Sequence, residues 1–341
     1  MNNSMLAKKM KMFPKADLHR HLEGSITPRT LLTAATRYGG KLPTYELDRL
    51  IELVQADKEP PGFTHFLSKF EIFRGFYPGR KAIEYIAHTA VAEAAEDNVK
   101  YLELRYSPTH FACSGRFDER DVIMWITGAL RRASEERGIV VVPVLTISRD
   151  YGVGLAQKTV DLVLDMPNGF FYGLDIAGNE LCNSAGPFAD LFSMVKARGL
   201  GLTIHAGEAG GAENVREAVI DFNADRIGHG IRAGDDASVM GLLRDNDVLL
   251  EVCLTSNLQT GVVPCVGEHP LPRLIEHGVP VSLNTDDPAI SAISLTDEYV
   301  SAVTGLKLTE IDLRALNLAA LDHAFYPDRR ELKKRLRRYW E

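Results

Sequence analysis

Only four cysteines, Cys113, Cys182, Cys253 and Cys265, occur in the 341 residues, far apart and without a Cys-x-x-Cys pair. That spacing excludes a disulfide scaffold and a thiolate zinc cluster, and they read as reduced thiols of a cytoplasmic protein. An excess of positive charge is also missing: 39 basic against 46 acidic residues leave a net charge of -7, which argues against a nucleic-acid partner. No apolar run approaches the roughly eighteen residues of a membrane span. The first fifteen residues are basic (Lys8, Lys9, Lys11, Lys15) but have no signal-peptide core, so the chain is expected neither to be secreted nor to cross a membrane. The basic run Arg329 to Arg338 is interrupted by Leu332 and Leu336, with Tyr339 and Trp340 following. It predicts the solvated face of a closing amphipathic helix rather than a nucleic-acid arm.

What remains is an ordinary globular composition, 45% apolar and 25% charged, large enough for a sizeable α/β core. The stretch Ala16-Asp17-Leu18-His19-Arg20-His21-Leu22-Glu23-Gly24-Ser25 organises it. Side chains on a strand alternate, so His19 and His21 face the same way and can share one cation, while Arg20 points elsewhere. Gly24 and the residues to Pro28 end the strand and open a helix, Pro28 to Tyr38. After a Pro-rich excursion ending in Pro60-Pro61-Gly62, residues Phe63 to Phe76 carry an apolar stripe of Phe66, Leu67, Phe70 and Phe73. The stripe predicts one helix, either core or a lid over an apolar ligand.

A helix from about Lys81 to Asp97 leads into a strand, Val99 to Tyr106, and a helix from Glu119 to Arg137 into another, Ile139 to Ile147. Further strands are expected at Gly169 to Ile176, Leu200 to His205, Ala224 to His229, Asp247 to Cys253 and Val279 to Asn284, each preceded by a helical segment. Eight strands alternating with helices close a parallel barrel, and no linker divides the chain. The expected fold is a single (β/α)8 TIM barrel over residues 1–341 with a helical lid insertion after the first strand; a doubly wound open sheet is the alternative.

In such a barrel the carboxyl ends of the strands meet at one site. His19 and His21 are joined there by His205 with Glu208, by His229, and by Asp286 with Asp287. Three imidazoles and a carboxylate suit zinc with one open position. The end of the fourth strand, Leu174 to Glu180, has no lysine to bridge a second metal, which favours one ion. Glu208 follows His205 across the small Ala206 and Gly207, where a carboxyl of raised pKa can act as a general acid.

Seven blocks in order span nearly the whole chain: His19 to Ser25, Leu104 to Pro108, Ala177 to Glu180, His205 to Glu208, Arg226 to Gly230, Cys253 to Asn257 and Asn284 to Pro288. Together they resemble the adenosine deaminase family. The resemblance implies that His19, His21, His205 and Asp286 hold one zinc ion and that Glu208 protonates N1 of a 6-aminopurine. It further implies that His229 orients the attacking water species and helps shuttle its proton, that Asp287 bonds N7 and that the Gly178 amide meets N3, with Glu23 and Ser107 among the substrate contacts and Phe66, Leu67 and Phe70 covering the base. The expected reaction is hydrolytic deamination of adenosine or 2'-deoxyadenosine. Adenine or a modified aminopurine nucleoside is the alternative, because Glu23 stands where adenosine deaminases usually carry aspartate. A barrel hydrolase of amides or esters and a catalytically silent scaffold are the competing classes. Asp286 and Asp287 also read as a helix N-cap before Pro288, and His65, His88, His110, His269, His277 and His323 as structural or surface residues.

Overall fold

The computed structural model of the protein describes residues 3–112, 117–167 and 170–341. Cys113 and the expected start of the fourth strand at Gly169 lie outside them. Eight parallel strands form one sheet in sequential order: β1 Lys15–His21, β2 Val99–Tyr106, β3 Val140–Ser148, β4 Gly173–Ala177, β5 Gly201–Ala206, β6 Arg226–His229, β7 Leu249–Val252 and β8 Val281–Leu283. Helices separate them in the alternation the sequence predicts, and the fold is a (β/α)8 barrel.

The seam between first and last strand is closed partly by backbone just beyond β8. The His21 amide donates to the Asp286 carbonyl at 2.9 Å, the Asp286 amide to the His19 carbonyl at 2.8 Å, and Leu18 N–H to the Asn284 side chain at 2.9 Å. Closure therefore sets Asp286 beside both histidines of β1. Arg20, between them, turns away and ties Asp17 to Thr285.

Apolar side chains fill the space between sheet and helices: Leu102 and Leu104 of β2, Ile204 of β5 and Leu250 of β7 face Ile83, Ile126, Val215 and other fully buried helix residues. Inside the barrel the filling is ionic. Arg226 donates from Nε to Glu251 and from Nη2 to Glu103, both at 2.6 Å, and Arg105 donates to Glu251 at 2.8 Å. None of the four is exposed, and buried charges of this kind persist only because each is paired. Phe325 plugs the amino end under the Arg226 guanidinium, 3.5 Å from ring centre to Cζ.

Local signals behave as expected at the helix after β1, Pro28–Tyr38, where Thr27 accepts from the Thr30 amide and Gly39 closes the last turn at φ 84°. The stripe after Pro61 differs from expectation. It forms two short helices, Phe63–Ser68 and Glu71–Arg74, because Lys69 and Phe70 make tighter turns between them, and only part of it turns toward the barrel mouth. At the carboxyl end a helix, Arg329–Leu336, buries Leu332 and Leu336, with Trp340 buried just beyond it, and leaves most of its basic residues outside. No helix among the described residues is long and apolar enough to cross a membrane.

Candidate active site

At the carboxyl end of β1 the period-2 alternation brings His19 and His21 together, ring centres 5.3 Å apart. His205 from the end of β5 and His229 from the end of β6 lie with His19 in a cluster whose centres are 4.6 to 5.3 Å apart. Gly228 makes this approach possible, since a Cβ there would press to 3.1 Å from both the His19 and His205 rings. Asp286 completes the group: its Oδ1 lies 3.2 Å from His19 Nε2 and 3.4 Å from His21 Nε2, and its Oδ2 lies 3.7 Å from His229 Nε2. His229 and Asp286 both sit in the left-handed region, at φ 58° and 63°. For residues with a Cβ this costs roughly 1–3 kcal/mol and is found where a side chain must be aimed.

Two carboxylates behind the imidazoles set which nitrogen faces the site. His19 Nδ1 is 2.8 Å from Glu251 Oε2, and His205 Nδ1 is 2.9 Å from Asp175 Oδ1. A carboxylate accepts, so each Nδ1 carries the proton and each Nε2 presents a lone pair. The buried Nε2 of His19 has no hydrogen-bond partner. His19, His205, His229 and Asp286 offer ligand atoms within 4.8 Å of one another, as do His21, Asp175 and His205. A carboxylate-backed imidazole with an unpaired nitrogen is the donor arrangement of a metal site, and these residues fit a divalent cation.

The electrostatics agree. Burial and the Arg105 guanidinium oppose positive charge at His19, yet Asp286 and Glu251 beside it more than offset them and raise its pKa, so this point of the site favours positive charge, such as a bound cation brings. Burial raises Asp286, and the surrounding imidazoles more than offset it, holding the group ionised. His21, further from carboxylates, is pushed well down by burial and stays a neutral donor. Glu251 also resists burial, being held well below the usual range by Arg105 and Arg226. Replacing it, Glu251→Gln, should therefore weaken metal affinity by about 10- to 100-fold, read by competition with a chelator, and also lower the melting temperature, because Arg105 and Arg226 lose a shared buried counter-charge.

Glu208 is presented by a loop that Glu180 gathers: its carboxylate accepts the amides of Gly207, Glu208, Ala209 and Gly210 at 2.6 to 3.1 Å. The Glu208 carboxyl is buried, and burial followed by the charges of Asp286 and Glu180 raises its pKa well above the ordinary value. Its Oε2 is 3.6 Å from His229 Nε2. Asp287 is the N-terminal flank of the helix Pro288–Ser291, but its side chain makes no capping bond. Its Oδ1 is instead buried and unpaired, and burial, then Asp286, pushes its pKa well up. Glu23 accepts the Ser107 amide at 2.7 Å through Oε1 and leaves Oε2 without a partner; burial lifts it to about 7.

One cavity gathers His21, His205, His229, Asp286, Glu208, Asp287, Glu23, Ser107 and Gly178, roofed by Phe63, Phe66, Leu67 and Phe70. His19 stands just behind it, fully buried. His110, expected to be structural, also lines the wall. Gly178 requires glycine twice over: its φ is 105°, and a Cβ would stand 2.7 Å from an Asp150 oxygen. Gly24 does too, because a Cβ there would fall 1.8 Å from Asp287 Oδ1. Gly24→Ala should displace that carboxylate and lower kcat/KM on the order of 100-fold, with an unchanged circular dichroism spectrum. Sequence reasoning missed Glu251, Asp175 and Glu180. Their signal was a carboxylate inside or just past an apolar strand, which needs a partner wherever it is buried.

A family model described as adenosine deaminase matches residues 14–338. A protein named adenosine deaminase from Vibrio parahaemolyticus is 34% identical over 329 residues, covering 96% of this chain and 98% of its own length. Among solved structures, an adenine deaminase from Arthrobacter aurescens superposes at TM-score 0.86 with 26% identity over 94% of this chain and 96% of that one. An Arabidopsis N6-mAMP deaminase does so at 0.85 with 29% identity, over 98% and 99%.

Proposed function

Because this chain belongs to the adenosine deaminase family, we propose that it hydrolyses the 6-amino group of a purine, converting adenosine or 2'-deoxyadenosine to the 6-oxo nucleoside and ammonia. The observation that carries this reading is Glu208, a buried carboxyl 3.6 Å from His229 Nε2 beside the histidine and aspartate cluster, with its pKa raised by burial and then by Asp286. His19, His21, His205 and Asp286 would hold one zinc ion. When bound, such a cation supplies activated water as a nucleophile at neutral pH.

The chain's own residues do the rest. Glu208 donates its proton to N1, which makes C6 electrophilic; an aromatic ring resists attack until that happens. His229 holds the incoming water species by hydrogen bonding at Nε2. Asp287, whose buried Oδ1 has no partner among the described residues, hydrogen-bonds N7, and the Gly178 backbone amide meets N3. Phe66, Leu67 and Phe70 cover the base and exclude bulk water; as the C6–N bond breaks, the new C6 hydroxyl gives up its proton to the departing amino group, leaving the 6-oxo product and ammonia, and the other proton of the water restores Glu208. Glu23 Oε2 is free to accept a hydrogen bond from the substrate beside Ser107.

Among the described residues lining the cavity none is lysine or arginine, whereas Glu23 and Asp150 are acidic, which disfavours a substrate phosphate. Adenine is the second reading. It is favoured by Glu23, whose longer side chain can reach toward a base without ribose. In this account the protein works as a single barrel domain in the cytoplasm on small purines, without a nucleic-acid or membrane partner. Ammonia release measured over adenosine, 2'-deoxyadenosine, adenine, AMP and N6-methylated analogues tests it. Highest kcat/KM on the nucleosides supports the first reading, highest on adenine supports the second, and ring opening or no ammonia release from any of them refutes both.

A further inference from the structure

Asn257 stands between the two groups that handle protons: its Nδ2 is 3.2 Å from His229 Nδ1 and 3.5 Å from Glu208 Oε1. An amide can be turned either way, and which way decides what His229 meets. Two features fix it. Glu298 accepts the amides of Leu254 and Thr255 at 2.8 and 3.0 Å, anchoring the first turn of the helix Leu254–Gln259 that carries Asn257. His269, buried and outside the cavity lining, places its Nε2 3.2 Å from Asn257 Oδ1 while its Nδ1 accepts the Leu271 backbone N–H at 3.1 Å.

The backbone N–H of Leu271 can only donate. His269 Nδ1 therefore accepts, and a neutral ring then carries its proton on Nε2. Burial lowers the pKa of His269 to about 3, so the ring is neutral at any working pH. Nε2–H donates to Asn257 Oδ1, which turns the amide so that Nδ2 donates to His229 Nδ1 and Glu208 Oε1. With Nδ1 accepting from Asn257, the His229 ring carries its proton on Nε2, the nitrogen that faces Glu208 and Asp286.

We infer that His269 is a positioning residue: through Asn257 it fixes His229 as the Nε2–H tautomer, a hydrogen-bond donor in the active site rather than a further metal ligand. This separates His229 from His19 and His205, whose carboxylate partners fix the opposite tautomer, with Nε2 bare. If the relay is cut, Asn257 is free to present Oδ1 to His229. The proton then moves to Nδ1, and a bare Nε2 is left against two carboxyl oxygens, with Oδ1 also facing Glu208.

The kinetic part of the test rests on the deaminase reading, and the spectroscopic part does not. Histidine-selective 15N labelling of the metal-loaded protein, read by long-range proton–nitrogen correlation, assigns the tautomers. The expected result is Nε2–H for His269 and His229 in the wild type; a wild-type His229 protonated on Nδ1 overturns the inference even where every variant fails to fold. His269→Leu should shift His229 toward Nδ1–H and lower kcat by about 30-fold or more with KM within about threefold. His269→Gln, which retains an acceptor and a donor at similar separation, should restore kcat to within about fivefold and keep the wild-type tautomer. A His269→Leu protein that is less stable but unchanged in tautomer and kcat, or a folded Gln variant as inactive as Leu, overturns it. A wild type that releases no ammonia sinks the functional reading and leaves the tautomer result to decide this one.

Discussion

Glu208→Gln is expected to lower kcat by about 10²- to 10⁴-fold, the range a positioned general acid supplies, while leaving the metal content and melting temperature close to wild type. Glutamine matches glutamate in volume and can keep the 3.5 Å contact with Asn257, but it has no proton to give to a ring nitrogen. The pH dependence carries the same signature. Burial, the larger cause, and then Asp286 hold the Glu208 pKa above the ordinary carboxyl value, so the acid form is present on the acidic side and disappears as pH rises through that raised value. Wild-type kcat should accordingly fall on the alkaline limb, and the residual activity of the glutamine variant should lack that dependence. Near-normal turnover in Glu208→Gln would assign the proton donor to another group.

Removing the metal should have the other large effect. Dialysis against a chelator is expected to take ammonia release to background, and stoichiometric zinc to restore it, because no side chain in the cavity replaces the activated water that the cation supplies. The apo protein should also melt at lower temperature, since a ligand that binds only the folded state stabilises it by mass action. The donors predict which variants behave as the apo protein does. His205→Ala and Asp286→Ala remove ligands and should fail to regain activity with zinc, whereas His229→Ala should bind zinc and remain slow. A chelated protein that retains full turnover would refute the metal-dependent account.

The barrel was legible in the sequence because its strands are short apolar runs at regular intervals with helical periodicity between them, and β2 was bounded to the residue. So were the side chains that reach the mouth, since a histidine or aspartate at the end of each of several strands has only one place to converge. Glu251 was not legible. It sits in an ordinary buried strand, and its work depends on Arg105, Arg226 and His19, contributed by three other strands. His269 likewise resembles a structural histidine until the Leu271 amide and Asn257 are placed on its two nitrogens. Gly24 was read as a strand stop; that its missing Cβ makes room for Asp287, more than 260 residues away, is a fact of closure between β1 and β8. The Phe63 to Phe76 stripe failed as one helix because an apolar period says which side is buried but not where the backbone breaks.

The central claim is that donors from β1, β5 and the end of β8 grip one cation beside Glu208. A crystal of the zinc-loaded protein, measured on both sides of the zinc absorption edge, reads that point alone. A single anomalous peak within bonding distance of the Nε2 atoms of His19, His21 and His205 and of an Asp286 oxygen, with His229 and Glu208 outside its ligand shell, is the predicted result. A peak ligated by His229 in place of His21, a second peak bridged through Asp175, or no peak among these residues would contradict it.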